Sequence, residues 1–324
     1  MATTRKQMFL EKMNGGSLST PTPVTIEEEI LDGTSGHTLP AVSPSDADKV
    51  LQVVNGKWVA DWVDRSTTLF TDGTLIINEK LEDRDSNISK HGAVVKEYEP
   101  FGEKNPYHFS LTTTGGSTAL WYNDRGSVLS VEIGSKIAPK YLHTWFYNLT
   151  KCTQINLALL DTSNTISFSL AFAGCSSLRS VDISLLNTSN AKYMDAMFTG
   201  CQNLEEIDFS SFDTSKVLTF ANMLSYCKNI TIFNLINFNT TSATNLKDMF
   251  KGCTNLRTIM ASDNFITPDD KNKSSNMFLN CTSLVGGNGT VYDSSHTDAE
   301  YARIDTPEHA GYFTSVEQYE NGGE

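Results

Sequence analysis

The chain has 324 residues, a net charge of −13 and 39% hydrophobic residues. That length holds more than one domain, and the apolar share suffices for a core. The excess of acid excludes nucleic acid as an electrostatically favoured partner and disfavours anionic membranes.

Residues 1–45 read as an attachment and linker segment. Asn14-Gly15-Gly16-Ser17 leads into Pro21-Thr22-Pro23, then Glu27-Glu28-Glu29, then Gly33-Thr34-Ser35-Gly36. This is the chemistry of an extended linker. Residues 4–13, with Met8, Phe9 and Met13 apolar, fit either a short docking helix or a frayed terminus. The first residues lack the apolar run of about 7–15 residues that an export signal carries. No stretch is long enough to insert into a membrane. Residues 46–64 predict a β-hairpin, because Asn55-Gly56 separates two apolar runs. Residues 65–144 lean towards strand, with a glycine-rich turn at 112–117. They predict a β-rich N-terminal module that caps the open edge of a repeated array.

From residue 145 the chain repeats. Cysteines stand at 152, 175, 201, 227, 253 and 281, at intervals of 23, 26, 26, 26 and 28 residues. A common period places each in the same slot of a repeated unit. Three residues before the cysteines stand Leu149, Phe172, Phe198, Leu224, Phe250 and Phe278. Apolar residues at offsets of seven, four, three and zero predict a short helix closed by the cysteine. Beyond the cysteine, Leu178, Val181 and Ile183, or Leu204, Ile207 and Phe209, alternate as a short strand does. A polar turn ends each unit, such as Asp161-Thr162-Ser163 or Asp213-Thr214-Ser215. The units at 145–285 therefore predict an α/β solenoid of short parallel strands and short helices, with residues 286–324 as C-terminal cap and tail. One strand step brings equivalent cysteines near the disulfide window, about 4.4–6.8 Å between Cα atoms. A disulfide ladder stays open beside the reading of reduced, buried thiols, which the packed stripe favours.

The units Phe172–Ser189 and Phe198–Ser215, with their M-F-x-x-C-x-x-L and D-T-S signatures, resemble the BspA-like leucine-rich repeats of bacterial surface proteins. The phrase Leu39–Trp58 resembles segments near the start of phage fibre and tail proteins. Together these resemblances imply a non-enzymatic phage virion protein, a fibre or receptor-binding component. Its array would bind a host-surface glycan or protein. Residues 1–45 would join it to other virion proteins, with a homotrimer as the implied assembly and the virion as its location. The alternative is a bacterial cell-surface adhesin, and a third reading is a carbohydrate-active enzyme.

Chemical motifs are sparse. No C-x-x-C pair occurs, and no two of His37, His91, His108, His143, His296 and His309 stand at ligand spacing, so no metal or cofactor is expected. The cysteines lie in apolar slots, which suit no reactive thiolate. Gly286-Gly287-Asn288-Gly289 lacks the Lys-Ser/Thr that a phosphate loop needs. The residues between buried strand positions point outward. They form a grid of Ser180, Glu206, Ile232 and Thr258 beside Asp182, Asp208, Asn234 and Met260. Asp182, Glu206 and Asp208 read there as a charged face rather than as a glycosidase pair. The grid, with its apolar Ile232 and Met260 at one end, is one expected contact surface, unless a flanking segment covers that end; the N-terminal module with Trp58, Trp62 and Trp121 is the other.

Overall fold

The computed structural model describes residues 49–54, 57–62, 65–80, 84–98 and 122–321. The attachment segment 1–45, the Asn55-Gly56 turn and the 112–117 turn lie outside the described residues. The chain divides into two compact units after Val63. In the first, β1 (Lys49–Val54) and β2 (Lys57–Trp62) pair antiparallel, Val54 opposite Lys57.

The second unit opens with β3 (Arg65–Phe70), β4 (Thr74–Lys80), α1 (Arg84–His91) and β5 (Val94–Tyr98). β3 pairs antiparallel with both β4 and β5. β4 then pairs in parallel with β6 (Ser130–Ile133), and β6 with β7 (Gln154–Ile155). One sheet, in the order β5-β3-β4-β6-β7, thus runs into the first repeated unit. Leu69, Leu75, Ile77, Val131 and Ile133 share one core with the repeats.

From there the chain returns to equivalent places every 26 residues. Parallel bridges join Tyr141, Ser167, Tyr193, Thr219 and Asn245 in sequence. The rings of Phe146, Phe172 and Phe198 stack at 5.1 and 5.0 Å, and Phe250 meets Phe278 at 5.8 Å. This register corrects the alignment on six cysteines. Phe146 falls six residues before Cys152, whereas Phe172 falls three before Cys175. Leu149 therefore fills the cysteine slot of the first coil, and Cys152 fills the slot of Leu178 and Leu204. Trp145 takes the place of Met197 and Met223. The first coil is of full length; it carries Leu-x-x-Cys where the others carry Cys-x-x-Leu or, at Cys227, Cys-x-x-Ile.

The sulfurs report the same register. Each thiol from Cys175 to Cys281 donates to the carbonyl of the ring-slot residue one coil earlier: Phe146, Phe172, Phe198, Leu224 and Phe250, at 3.0–3.3 Å. Cys152 instead donates to the carbonyl of Gln154 at 3.2 Å. All six are free and buried.

The segments expected as short helices are runs of turns. In the third coil Met197, Thr199 and Cys201 donate their N–H groups three residues back, to Met194, Ala196 and Phe198. The residues between them, Met194, Ala196, Phe198 and Gly200, donate to Thr219, Ala221, Met223 and Ser225 of the next coil. Every second amide therefore serves the neighbour, which a helix would not allow. This geometry needs left-handed residues twice per coil. Ala196 (φ 51°) and Gly200 (φ 74°) supply them here, and Leu170 with Gly174, or Asn222 with Tyr226, elsewhere. A left-handed residue with a side chain costs roughly 1–2 kcal/mol, offset by the bonds between coils. The two glycines Gly200 and Gly252 separate the causes. At Gly200 a Cβ meets only Gly174, at 3.8 Å; at Gly252 it comes within 2.5 Å of the Tyr226 ring. Gly200→Ala should cost about 1 kcal/mol from backbone strain alone. Gly252→Ala should cost measurably more in a denaturant titration, and equal losses would remove the ring contact from the account.

On the other side of each coil, Ile155, Val181, Phe233 and Ile259 are buried and Ile207 partly so, with Leu157, Ile183, Leu235, Ala261 and Phe209 buried two residues on from them. Only part of this side forms paired strand: β7 at its start, then β8 (Ile232–Leu235), β9 (Thr258–Ala261) and β10 (Phe313–Thr314), all in parallel pairs. At 181–183 and 207–209 the burial alternates but no strand is paired. A buried threonine ladder closes each coil. The hydroxyls of Thr162, Thr188 and Thr214 donate to the carbonyls of Asn187, Asp213 and Asn239, and accept from the N–H groups of the same residues. At the C-terminal end, the buried Asp305 carboxylate accepts from the N–H groups of Asn288, Thr290 and Gly311 and from the Thr290 hydroxyl. Burial alone would raise its pKa, but these bonds outweigh it and hold the carboxyl below its usual range.

Candidate functional site

The outward strand face is built by the alternation of each coil, and the 26-residue register sets which side chains are neighbours. Ile232 lies opposite Thr258, and Asn234 opposite Met260. Applied to the first coil, the register adds Gln154 beside Ser180 and Asn156 beside Asp182. Both were missed because counting from Cys152 runs three residues out of step; holding the period at 26 would have found them. Gln154, Asn156, Ala158, Ser180, Asp182 and Leu185 line one open depression at this end of the face.

The two rows differ in what the scaffold asks of them. In the row that includes Asp182 and Asp208, each polar side chain caps the amide two residues on. Asn156 accepts from the N–H of Ala158, Asp182 from Ser184, Asp208 from Ser210 and Asn234 from Ile236. These residues make the turn that ends the strand. The Ser184 hydroxyl and N–H hold the Asp182 carboxyl below the usual carboxylate range. The same device recurs at the polar turn, where Ser163 and Lys136 bring Asp161 down to about 2. The other row, Gln154, Ser180, Glu206 and Ile232, has no such duty, and its side chains are exposed. Beside it Arg179 and Glu205 form a surface ion pair at 2.9 Å.

The apolar end differs from expectation. Ile232 is 39% exposed, but Met260 is 7% exposed and buried rather than outward. Thr314 of β10 pairs beside Met260, and α2 (Val316–Asn321) lies against β9. Thr258 is half-buried for the same reason. The grid thus runs from Gln154 to Asn234 and closes at its C-terminal end.

Other titratable groups are engaged structurally. His91, at the end of α1, holds its Nδ1 2.9 Å from Asp72, whose carboxylate also caps Thr74, while its Nε2 lies 3.9 Å from Glu132. His296 stacks on Tyr301 at 4.3 Å, and Asp293 accepts from Ser295. Among the described residues, no group of three or more His, Cys, Asp or Glu could hold a metal ion. The face offers hydrogen-bonding amide, hydroxyl and carboxylate groups across several coils, the chemistry of a contact surface.

No curated protein and no solved structure matches the chain. Residues 140–263 and 233–300 match a family described as Mycoplasma protein of unknown function, DUF285. The match covers the coils together with the start of the C-terminal cap, just under half of the chain. That family is related to BspA-like repeat proteins, so the coil-forming half of this chain is similar to a family of that kind.

Proposed function

We propose that the chain is a non-enzymatic attachment protein. In this reading residues 145–285 are an α/β solenoid of BspA-like leucine-rich repeats, and its outward strand face binds a ligand on a host surface, a glycan or a protein. The observation that carries the reading is the difference between the two rows. The scaffold uses the row of Asn156, Asp182, Asp208 and Asn234 for turn caps, whereas Gln154, Ser180, Glu206 and Ile232 beside it are exposed and cap no turn. The likeness of Leu39–Trp58 to phage fibre segments favours a virion protein joined to other virion components through residues 1–45, as a homotrimer. No helix among the described residues is long and apolar enough to cross a membrane.

A bacterial surface adhesin uses the same face and differs in where the protein resides. A carbohydrate-active enzyme needs a proton-donating carboxyl; the lowered pKa of Asp182 and its role in a turn speak against that residue. The test is attachment of the full chain to intact host cells and its detection in purified particles. Glu206→Lys reverses charge in the uncommitted row without touching a cap. It should weaken attachment at least ten-fold, about 1.4 kcal/mol, and leave the melting temperature unchanged. Unaltered attachment would remove this row. Presence in the cell envelope and absence from purified particles would favour the adhesin.

A further inference from the structure

Tyr141, Ser167, Tyr193, Thr219 and Asn245 occupy one position in successive coils, on the side away from the strand grid. Three of them do the same structural task. Ser167 accepts from the N–H of Ser169, Thr219 from Ala221 and Asn245 from Lys247, at 3.1–3.3 Å. The fold therefore asks for a short polar side chain here. Tyrosine cannot supply that cap, yet two alternate coils carry one. Tyr193 is 40% exposed, so burial does not account for it either. Tyr141 is half-buried and lies under the Lys140 ammonium, 5.7 Å from its ring centre.

The coil spacing sets the distance between the two tyrosine positions. Equivalent rings in adjacent coils of this protein stack about one coil step apart, as Phe146, Phe172 and Phe198 do. Tyr141 and Tyr193 are two coil steps apart, so rings that project alike would face each other across a gap of about 10 Å above the small Ser167. A planar aromatic guest is too thin to touch both rings. A puckered pyranose, with C–H bonds on both faces, fills such a gap, and electron-rich ring faces attract polarised C–H groups. Its hydroxyls would meet polar groups at the floor and rim. Ser167 donates to the Ser169 hydroxyl, which donates to Asp195 at 2.7 Å. The Asp195 carboxylate keeps further acceptor sites, and exposed Lys140 and Lys192 flank the rings.

We infer that Tyr141 and Tyr193 form a sugar-binding slot that takes a hexopyranose unit of a glycan. The inference rests on the attachment reading and gives it a ligand class and a second contact. The test uses the full chain, saturation-transfer NMR and calorimetry, with a panel of soluble glucose, galactose and mannose oligosaccharides. At least one should bind. Tyr141→Ser and Tyr193→Ser should each weaken it ten-fold or more. Serine restores the cap seen at Ser167, so the variant at exposed Tyr193 should melt no lower than the parent, which separates lost binding from lost fold. Val291→Ser, at a remote exposed position, should bind as the parent does. Failure of the whole panel to bind, or binding untouched by both tyrosine variants, overturns the slot. Host-cell attachment measured in parallel keeps the two claims apart. Attachment without oligosaccharide binding rejects the slot alone, whereas absence of any attachment rejects the attachment reading.

Discussion

Folded protein exposed to a thiol reagent at mildly alkaline pH should take up no label, and the same chain in guanidinium should take up six equivalents. Three features lead to that result. Every thiol is buried. Every thiol donates to a backbone carbonyl, so reaction must break a bond that ties the chain together. Burial also raises the thiol pKa, to about 12 for Cys201 and Cys281 and about 11 for Cys152, which empties the reactive thiolate form. This fixes the sign of the pH effect. The folded state keeps these protons to a higher pH than the unfolded chain does. The stabilisation is therefore complete below the ordinary thiol range and is lost as pH rises from there towards about 12. Partial denaturation should expose Cys152 first, because its bond is local and lies where the array meets the preceding sheet. Rapid labelling of Cys201 or Cys227 in the folded protein would contradict the packing of the array's centre.

Much of this architecture was legible from the residue pattern. The period, the aromatic slot three residues before the cysteine and the buried alternation after it follow from spacing alone. So do the D-T-S turns, because Asp, Asn, Ser and Thr have few ways to satisfy nearby amides. The swap at Leu149 and Cys152 was hidden because both residues fill a small apolar slot, and either order satisfies the stripe. The helix assignment erred for a related reason. Offsets of seven, four, three and zero suit a helix and also suit a run of three-residue turns. The distinguishing signal is the residue just before the cysteine: Gly174, Gly200 and Gly252, with Asn280 in the last unit. Glycine and asparagine there mark a left-handed position that a continuing helix forbids. Burial of Met260 could not be read locally, because the segment beside it lies more than fifty residues further along the chain.

For the candidate surface, composition alone misled. Acidic residues drew notice to Asp182 and Asp208, yet their partners two residues on make them turn caps. Function is better sought where a residue departs from what its coil position requires. Tyr193 departs in that sense; Asp208 does not.

The central claim is the 26-residue register that sets Gln154 beside Ser180 and puts Cys152 out of line with the other cysteines. Equivalent positions of adjacent coils lie one strand spacing apart, roughly 4.8 Å and inside the disulfide window, and the native thiols are too buried to compete. Gln154→Cys combined with Ser180→Cys should form an intrachain disulfide under mild oxidation, as readily as the directly paired Ile232→Cys with Thr258→Cys. Leu157→Cys combined with Ser180→Cys, the pair set by counting from Cys152, should stay reduced because Leu157 points into the core. A disulfide in that last variant and none in the first would contradict the register, and with it the assignment of the outward face.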